Sequence, residues 1–365
     1  MATLVYKCPN CYSSLQFDAT TQKLVCEYCD STFTVEEAEN SEVNQHSDEK
    51  AAFIEKPDGN VLPADETLSP EDSMAVYSHI CPNCGAALMG DVNTAATFCA
   101  YCGNPTLNEA ILTSARRPAR IIPFKQTKKE AQEAFLAWGK QGFLTPSDFT
   151  SSATLNKITG IYVPFWLFNC TTHCDYTGNA IKTYTKLNGT NLVQVTDDYT
   201  IKRSFDSTYT AVPADASKNM DDNTMDLLEP FDVSELVPFK MAYLSGFFAE
   251  KYTYTAKDLV PRMENRLKEF NEQAVKDDCK GAYTTIKTTK NNLKVLNANA
   301  EYVMLPVWLL RYRYKDKMYE FAMNGQTGQM VGTRPVSSVK QVLAFSLIYI
   351  VAFIVLLLIG LILIP

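Results

Sequence analysis

Eight of the eleven cysteines stand in four Cys-x-x-Cys pairs: Cys8 with Cys11, Cys26 with Cys29, Cys81 with Cys84, and Cys99 with Cys102. Fourteen residues separate the two pairs of each set. A Cys-x-x-Cys knuckle puts two thiolates on one side of a tight turn. A second knuckle closes a tetrahedron around one divalent ion and leaves no coordination position open. These eight residues are therefore expected to ligate two structural Zn²⁺ ions. Tetrathiolate ligation by itself also admits iron in a redox centre, and an oxidising compartment would admit disulfides.

The elements that must hold these knuckles are short hairpins. Leu15-Gln16-Phe17-Asp18 alternates, a turn falls near 20–23, and Leu24-Val25 returns. In the second set, 87–89 and 95–98 flank a turn at 90–93. The pattern resembles paired zinc ribbons of the rubredoxin-like type. Gly85 and Gly103 follow knuckles where a positive φ helps the turn, whereas the first set has Tyr12 and Asp30 there. With zinc bound, eight thiolates and two dications make the chain four charges more negative than its formal −7.

That charge bears on partners. Ribbon 1 (residues 1–35) has Lys7 and Lys23 against Asp18, Glu27 and Asp30, and ribbon 2 (79–107) has no Lys or Arg. Phosphate binding needs several cationic contacts and base stacking needs aromatics among them, so the ribbons read as protein-docking knobs rather than nucleic-acid binders. A run at 108–120 and beyond is basic: Arg116, Arg117, Arg120, Lys125, Lys128 and Lys129. It reads as a solvated linker and helix start, or as a contact for the acidic linker or anionic lipid. The acidic linker, 36–78, carries turn and breaker signals at 57–60, Pro63 and Pro70. His46 and His79 have no metal-spaced partners.

Residues 121–335 show an internal duplication, with one half at 121–235 and the other at 236–335. Ile122-Pro123-Phe124-Lys125 matches Val237-Pro238-Phe239-Lys240. Capping boxes at Thr127/Glu130 and Thr255/Asp258 start two helices. The first should bury Ala131, Ala134, Phe135 and Trp138, and the second Leu259, Met263, Leu267, Phe270 and Ala274. Pro164-Phe165-Trp166-Leu167 recurs as Pro306-Val307-Trp308-Leu309, with Asn188-Gly189 and Asn324-Gly325 as hairpin signals. The expected fold is α+β: two ribbons, then a duplicated helix-plus-antiparallel-meander body, then one transmembrane helix. Proline within each run argues for a strand start or edge. The tryptophans read as core anchors. Cys170 and Cys174 are spaced to share one strand face and read as core.

Residues 342–364 hold 18 Leu, Ile, Val or Phe in 23 positions and no charge. At ~1.5 Å per residue this spans a ~30 Å hydrocarbon core. At roughly −0.4 kcal/mol for each, insertion gains about 7 kcal/mol. Arg334 and Lys340 flank the N-terminal end, which places that end in the cytoplasm by the positive-inside rule. A single-pass, tail-anchored topology at the cell membrane, with lipid contact through 342–364 and no signal peptide, follows as the expectation.

The sequence has no P-loop, no Gly-x-Ser-x-Gly, no His-Glu-x-x-His, and only three histidines, none with an evident triad partner. No enzymatic reaction, catalytic residue or small-molecule substrate is expected.

Several segments carry a family resemblance: Tyr162-Val163-Pro164-Phe165-Trp166, Val212-Pro213-Ala214-Asp215-Ala216-Ser217, Leu228-Glu229-Pro230-Phe231, the run from Leu244 to Tyr252, Leu305-Pro306-Val307-Trp308, and Asn324-Gly325-Gln326-Thr327-Gly328. Over roughly 75–345 the chain resembles the bacterial YdjG-like family of membrane-anchored proteins with N-terminal zinc ribbons, whose members often bear helicase or primosomal labels. No helicase motif is present here. The resemblance implies a membrane adaptor or scaffold beside phage-shock-type and stomatin-like proteins in envelope stress. The alternative is a membrane-held nucleic-acid-binding or regulatory zinc-ribbon protein.

Overall fold

The computed structural model describes residues 6–44, 73–90, 99–102, 111–315 and 317–363. Outside them lie most of the acidic linker, with His46, 57–60, Pro63 and Pro70, and also 91–98 and Gly103 of the second ribbon. The turn and return strand expected in that ribbon thus fall outside the described residues.

The first ribbon folds as its alternation dictates. β1 (Leu15–Asp18) and β2 (Lys23–Cys26) pair antiparallel, with Leu15 opposite Cys26. The Asp18 carboxylate accepts the Thr21 N–H at 2.9 Å and fixes the turn. β3 (Thr32–Phe33) completes a three-stranded sheet. Thr34 and Glu37 form a capping box, so the acidic run opens as α1 (Val35–Glu39) with Val35 and Ala38 buried.

The larger sheet is mixed. β4 (Ser73–Ile80) lies between β5 (Ala87–Gly90) and β6 (Ile111–Arg116), so the stretches either side of the second ribbon are strands. Next come β7 (Arg120–Ile121), α2 (Lys128–Lys140), the short α3 (Ser152–Leu155), and the hairpin of β8 (Thr159–Asn188) and β9 (Asn191–Asp215). Gly189, at φ 63°, turns that hairpin. α4 (Asp222–Leu227), β10 (Val237–Pro238), β11 (Phe248–Glu250), α5 (Ala256–Asp278), β12 (Thr285–Tyr314), β13 (Lys317–Asn324), β14 (Met330–Gly332) and α6 (Ser338–Leu363) follow. The spine runs β10-β7-β12-β8-β11-β5-β4-β6, with β9 on β8 and β13 on β12.

The duplication is present, but its halves interleave instead of forming two separate meanders. β8 and β12 cross about a local two-fold, with Pro164 opposite Met304, Val163 opposite Leu305, and Tyr162 opposite Pro306. β7 pairs parallel with β12, the long strand of the other half, and β11 pairs parallel with β8. By this register Arg120 is equivalent to Phe248, a separation of 128 residues, and Thr127 is separated from Thr255 by the same 128. The true partner of β7 is therefore β11. The match of Ile122–Lys125 to Val237–Lys240 is not the repeat: Val237 and Pro238 form β10, which lies antiparallel on β7 itself. The repeat is cross-tied by the two tryptophans. Trp166 Nε1 donates to the Tyr254 carbonyl at 3.0 Å, and Trp308 Nε1 donates to the Gln126 carbonyl at 2.9 Å. Each indole thus holds the residue preceding the other half's helix cap, and both are core residues.

The two prolines lie inside their strands, not at a start. On one flank of β8 the neighbour changes from β11, ending at Tyr162, to β9, beginning at Phe165. On β12 it changes from β7, ending at Met304, to β13, beginning at Val307. Pro164 and Pro306 stand in these gaps, where a missing N–H breaks no ladder bond. Their carbonyls accept from Ala216 and Gly325, each at 2.8 Å.

α5 lies on one face of the β9-β8-β12 arm. It buries Leu259, Met263, Leu267, Asn271 and Val275, a stripe at every fourth residue, and leaves Phe270 39% exposed. The face thus turns away from the expected Phe270 and Ala274. Asn271 is admitted to the core because its Oδ1 accepts the Tyr209 hydroxyl at 2.6 Å. Cys170 and Cys174 are buried on the same face of β8. Beyond Ile181, the last β8 residue paired with β12, β8 and β9 continue as a two-stranded ribbon with Leu187 opposite Leu192. These two leucines are 66% and 74% exposed.

Candidate metal centres

The structure brings each cysteine set together. In the first, Cys8 Sγ lies 3.6 Å from Cys29 Sγ, and Cys11 Sγ lies 3.4 Å from Cys26 Sγ. In the second, Cys81 to Cys102 is 3.5 Å and Cys84 to Cys99 is 3.7 Å. Within each tetrad every pair of sulfurs lies within 4.8 Å. Zn–S bonds of about 2.3 Å give a tetrahedron with edges near ~3.8 Å, so the donor set fits a tetrathiolate metal, and all eight cysteines are free thiols far beyond the ~2.05 Å of a disulfide. Burial pushes the Cys8 thiol up to about 11 and raises Cys99 as well, whereas hydrogen bonds from Ser31 hold Cys29 down at about 6, so a cation in either tetrad would have to draw Cys8 and Cys99 into the thiolate form.

Three knuckles share one backbone device. The Tyr12 N–H donates to Cys8 O at 2.8 Å, Asp30 to Cys26 O at 2.9 Å, and Gly85 to Cys81 O at 2.9 Å. All three donors have positive φ, at 63°, 56° and 72°. Glycine adopts this conformation freely, while a side chain there is strained. Tyr12 is 66% exposed, so little packing is lost on truncation. Tyr12→Gly and Asp30→Gly should each stabilise the first ribbon by about 0.5–1 kcal/mol. Chelator titration followed by ribbon hydrogen exchange checks this: earlier metal loss in either variant contradicts it.

The ribbons are built into the body rather than carried as free knobs. Ribbon 1 docks through the Phe17 N–H to Ser245 O at 3.0 Å, Gln22 Nε2 to Phe124 O at 2.7 Å, and Lys240 with Glu36 and Glu39 at 3.2 and 2.9 Å. Ribbon 2 joins the sheet, with β5 pairing β11 at Met89–Ala249. Tyr101, between Cys99 and Cys102, is 1% exposed and donates to Glu250 Oε2 at 2.5 Å. Asn219 Nδ2 donates to the other Glu250 oxygen at 2.6 Å. Arg311 donates to Tyr101 O at 2.9 Å, to Asn219 O at 2.5 Å, and to Glu320 at 2.6 Å. Tyr101, Asn219, Glu250 and Arg311 escaped the reading of the knuckles. The available signal was a tyrosine inside a knuckle, and the family-like segment containing Glu250.

The basic run is engaged internally. Arg120 forks onto Glu301, Lys125 pairs with Glu235 at 2.5 Å, Arg117 donates to Phe239 O at 3.0 Å, and Lys128 Nζ reaches Asn156 O at 3.4 Å. These contacts are with the body, not with the described acidic residues of the linker.

Beneath α5, Arg262 meets Asp215 at 2.5 Å, Asp222 at 3.0 Å and Asp226 at 2.7 Å, while Arg266 meets Glu229 at 2.5 Å. Burial pushes the Asp215 carboxyl up to about 6, outweighing the Arg262 guanidinium. Between roughly pH 4, the ordinary aspartate value, and about 6, the folded chain therefore holds a proton that the unfolded chain releases. Its contribution to stability falls as pH rises through that window. Asp215→Asn should remove this slope, so the variant's melting temperature should rise relative to the parent's from pH 4 to pH 7. A pH-independent difference contradicts the assignment.

His173 does have partners, correcting the expectation from sequence. Its Nδ1 lies 2.7 Å from Asp206 Oδ1, and its Nε2 lies 3.4 Å from Ser204 Oγ. The order imitates a hydrolytic triad, but Ser204 Oγ donates to Asp175 at 2.8 Å. The hydrogen bond to Asp206, with Asp175 nearby, raises the imidazole above its ordinary value. A cleft of about 440 Å³ opens elsewhere, between ribbon 1 and the body, lined by Gln16, Asp18, Lys128, Asn156, Phe247 and Trp308.

Within Ser338–Ile359, α6 holds an 18-residue window of mean hydropathy 3.2, none of it buried in the body. By length and composition it is a candidate membrane span.

No family model matches the chain, and no solved structure matches it. It is 34% identical over 342 residues to a protein of Bacillus subtilis (strain 168) whose printed name is uncharacterized protein YdjG, covering 93% of each chain. With that identity along nearly its whole length, the chain belongs to the YdjG family.

Proposed function

We propose that the protein is a membrane adaptor: α6 anchors it in the cell membrane with the bulk on the cytoplasmic side, and the body presents a docking surface to protein partners. The two tetrads hold structural Zn²⁺. The observation that supports this most is how the second metal knuckle is seated. Tyr101 is locked to Glu250 and Arg311, so the metal braces the body with all four ligand positions taken by sulfur. β12 ends at Tyr314, beside the start of α6, and the β8–β9 ribbon leads in the other direction. β8 alone, 30 residues at ~3.3 Å each, extends about 95 Å. The exposed Leu187–Leu192 tip would then stand far from the bilayer, where a partner can reach it. Phage-shock-type and stomatin-like proteins, implied by the family resemblance, are the partners to test first.

A photocrosslinker at Thr190 in the full-length chain should capture one defined protein from intact membranes, and Leu187→Asp with Leu192→Asp should abolish that capture. Capture unaffected by the two changes would remove the tip from the account. The internal pairing of Arg117, Arg120, Lys125 and Lys128 weighs against the nucleic-acid alternative.

A further inference from the structure

The base of α6 is clamped to two loops of the body. The Ser337 N–H donates to Leu144 O at 2.8 Å, and Lys340 Nζ donates to Thr145 O at 2.7 Å. From the other loop, Lys315 Nζ reaches Ser338 Oγ at 2.5 Å. Arg334 donates to Trp138 O at 3.2 Å and stacks 5.0 Å from the Trp138 ring. These ties fix which surface of the body adjoins the first turn of α6. That surface carries Lys140, Lys315, Lys317, Arg334 and Lys340; of the nearby described acids, Asp148 accepts the Tyr312 hydroxyl and Glu320 is held by Arg311. Within the first loop Phe143 is 77% exposed, and Val339 on the helix is 69% exposed. A large aromatic left in water within a cationic collar, continuous with an apolar helix, has the makeup of a surface that enters a membrane interface.

We propose that this collar is a second membrane contact: Phe143 inserts at the headgroup boundary, and Lys140, Lys315 and Lys317 bind anionic phospholipid headgroups. The proposal rests on the reading of α6 as an anchor and adds an orientation to it. The body is held against the bilayer by its 140–145 loop and by Lys315 and Lys317, instead of swinging on a tether. Lysines within a Debye length of an anionic surface are attracted to it, and salt weakens that attraction.

The test uses full-length F143W, reconstituted in nanodiscs of phosphatidylcholine alone or mixed with phosphatidylglycerol, with bromines on the acyl chains near the headgroups. The parent protein supplies the background from Trp138, Trp166 and Trp308. In phosphatidylglycerol discs the added indole should emit to the blue and be quenched by bromine. Charge reversal with K140E, K315E and K317E should remove the dependence on phosphatidylglycerol. Emission as in water from a chain that stays in the disc overturns the proposal and leaves the anchor standing. Quenching that is the same in both lipids overturns the headgroup contact. A chain that never enters the disc overturns the anchor, and the collar with it.

Discussion

Cys81→Ser should remove one of two bound metal ions and loosen the α+β body far from the thiol. Serine keeps the volume but withdraws a soft ligand, so the second tetrad cannot close. Tyr101 is held between Cys99 and Cys102, and without the knuckle it cannot stay on Glu250. Glu250 is 1% exposed and keeps Asn219 and Ser217 as further partners. Removing a hydrogen-bond donor from a buried carboxyl group costs roughly 1–3 kcal/mol. β11, which carries Glu250, is the parallel neighbour of β8, so the loss reaches the centre of the large sheet. Hydrogen exchange should rise at 248–250 and 308–312. Cys8→Ser should remove the other ion and free β1–β3 and α1, with much less effect on β11. Ribbon 1 has its own sheet, and it docks through backbone bonds, the Gln22 amide, the Phe17–Tyr243 ring contact and partly exposed ion pairs, none of them made with Glu250. Equal, purely local effects of the two substitutions would contradict this division.

Removing residues 341–365 should turn the protein into a folded, soluble chain. The described part of α6 is 26 residues long, about 39 Å at ~1.5 Å per residue, enough for a ~30 Å hydrocarbon core. The apolar stretch after Lys340 is not buried in the body, so the cut costs the fold little. Cutting after Lys340 also keeps the clamps from Ser337 to Leu144 and from Lys340 to Thr145. The truncated chain should leave the membrane fraction and keep both metal ions. Retention after a high-salt wash would contradict a single anchor. Release that occurs only on adding salt would point to the cationic collar as the remaining contact.

Much of the site was legible because its signals are local. Knuckle spacing marked both tetrads. The Thr127 and Thr255 boxes marked the starts of α2 and α5, and an uninterrupted apolar run marked α6. Pairing between distant strands was not legible in the same way. Ile122-Pro123-Phe124-Lys125 and Val237-Pro238-Phe239-Lys240 look like a repeat, yet register equates Arg120 with Phe248, where the sequences share little. The knuckle tyrosines make the same point. Cys26-Glu27-Tyr28-Cys29 and Cys99-Ala100-Tyr101-Cys102 are alike in form, but Tyr28 is 80% exposed and Tyr101 1%. Only the distant Glu250 and Arg311 separate them. Pro164 and Pro306 look like strand breakers until the change of neighbouring strand beside each is known. The stripe of α5 turned because a buried Asn271 with a satisfied oxygen is as admissible as Phe270, and sequence periodicity weighs only apolar residues.

The central claim is that both metal centres are closed zinc staples that brace an anchored body and carry out no chemistry. X-ray absorption at the metal edges of the full-length, reduced protein in detergent tests it most directly. The account predicts two zinc ions per chain, no iron, and four sulfur neighbours for each at about 2.3 Å. Iron in either site, or a zinc shell in which a water oxygen replaces a sulfur, would contradict it, because such a site is redox-active or has a coordination position open to substrate.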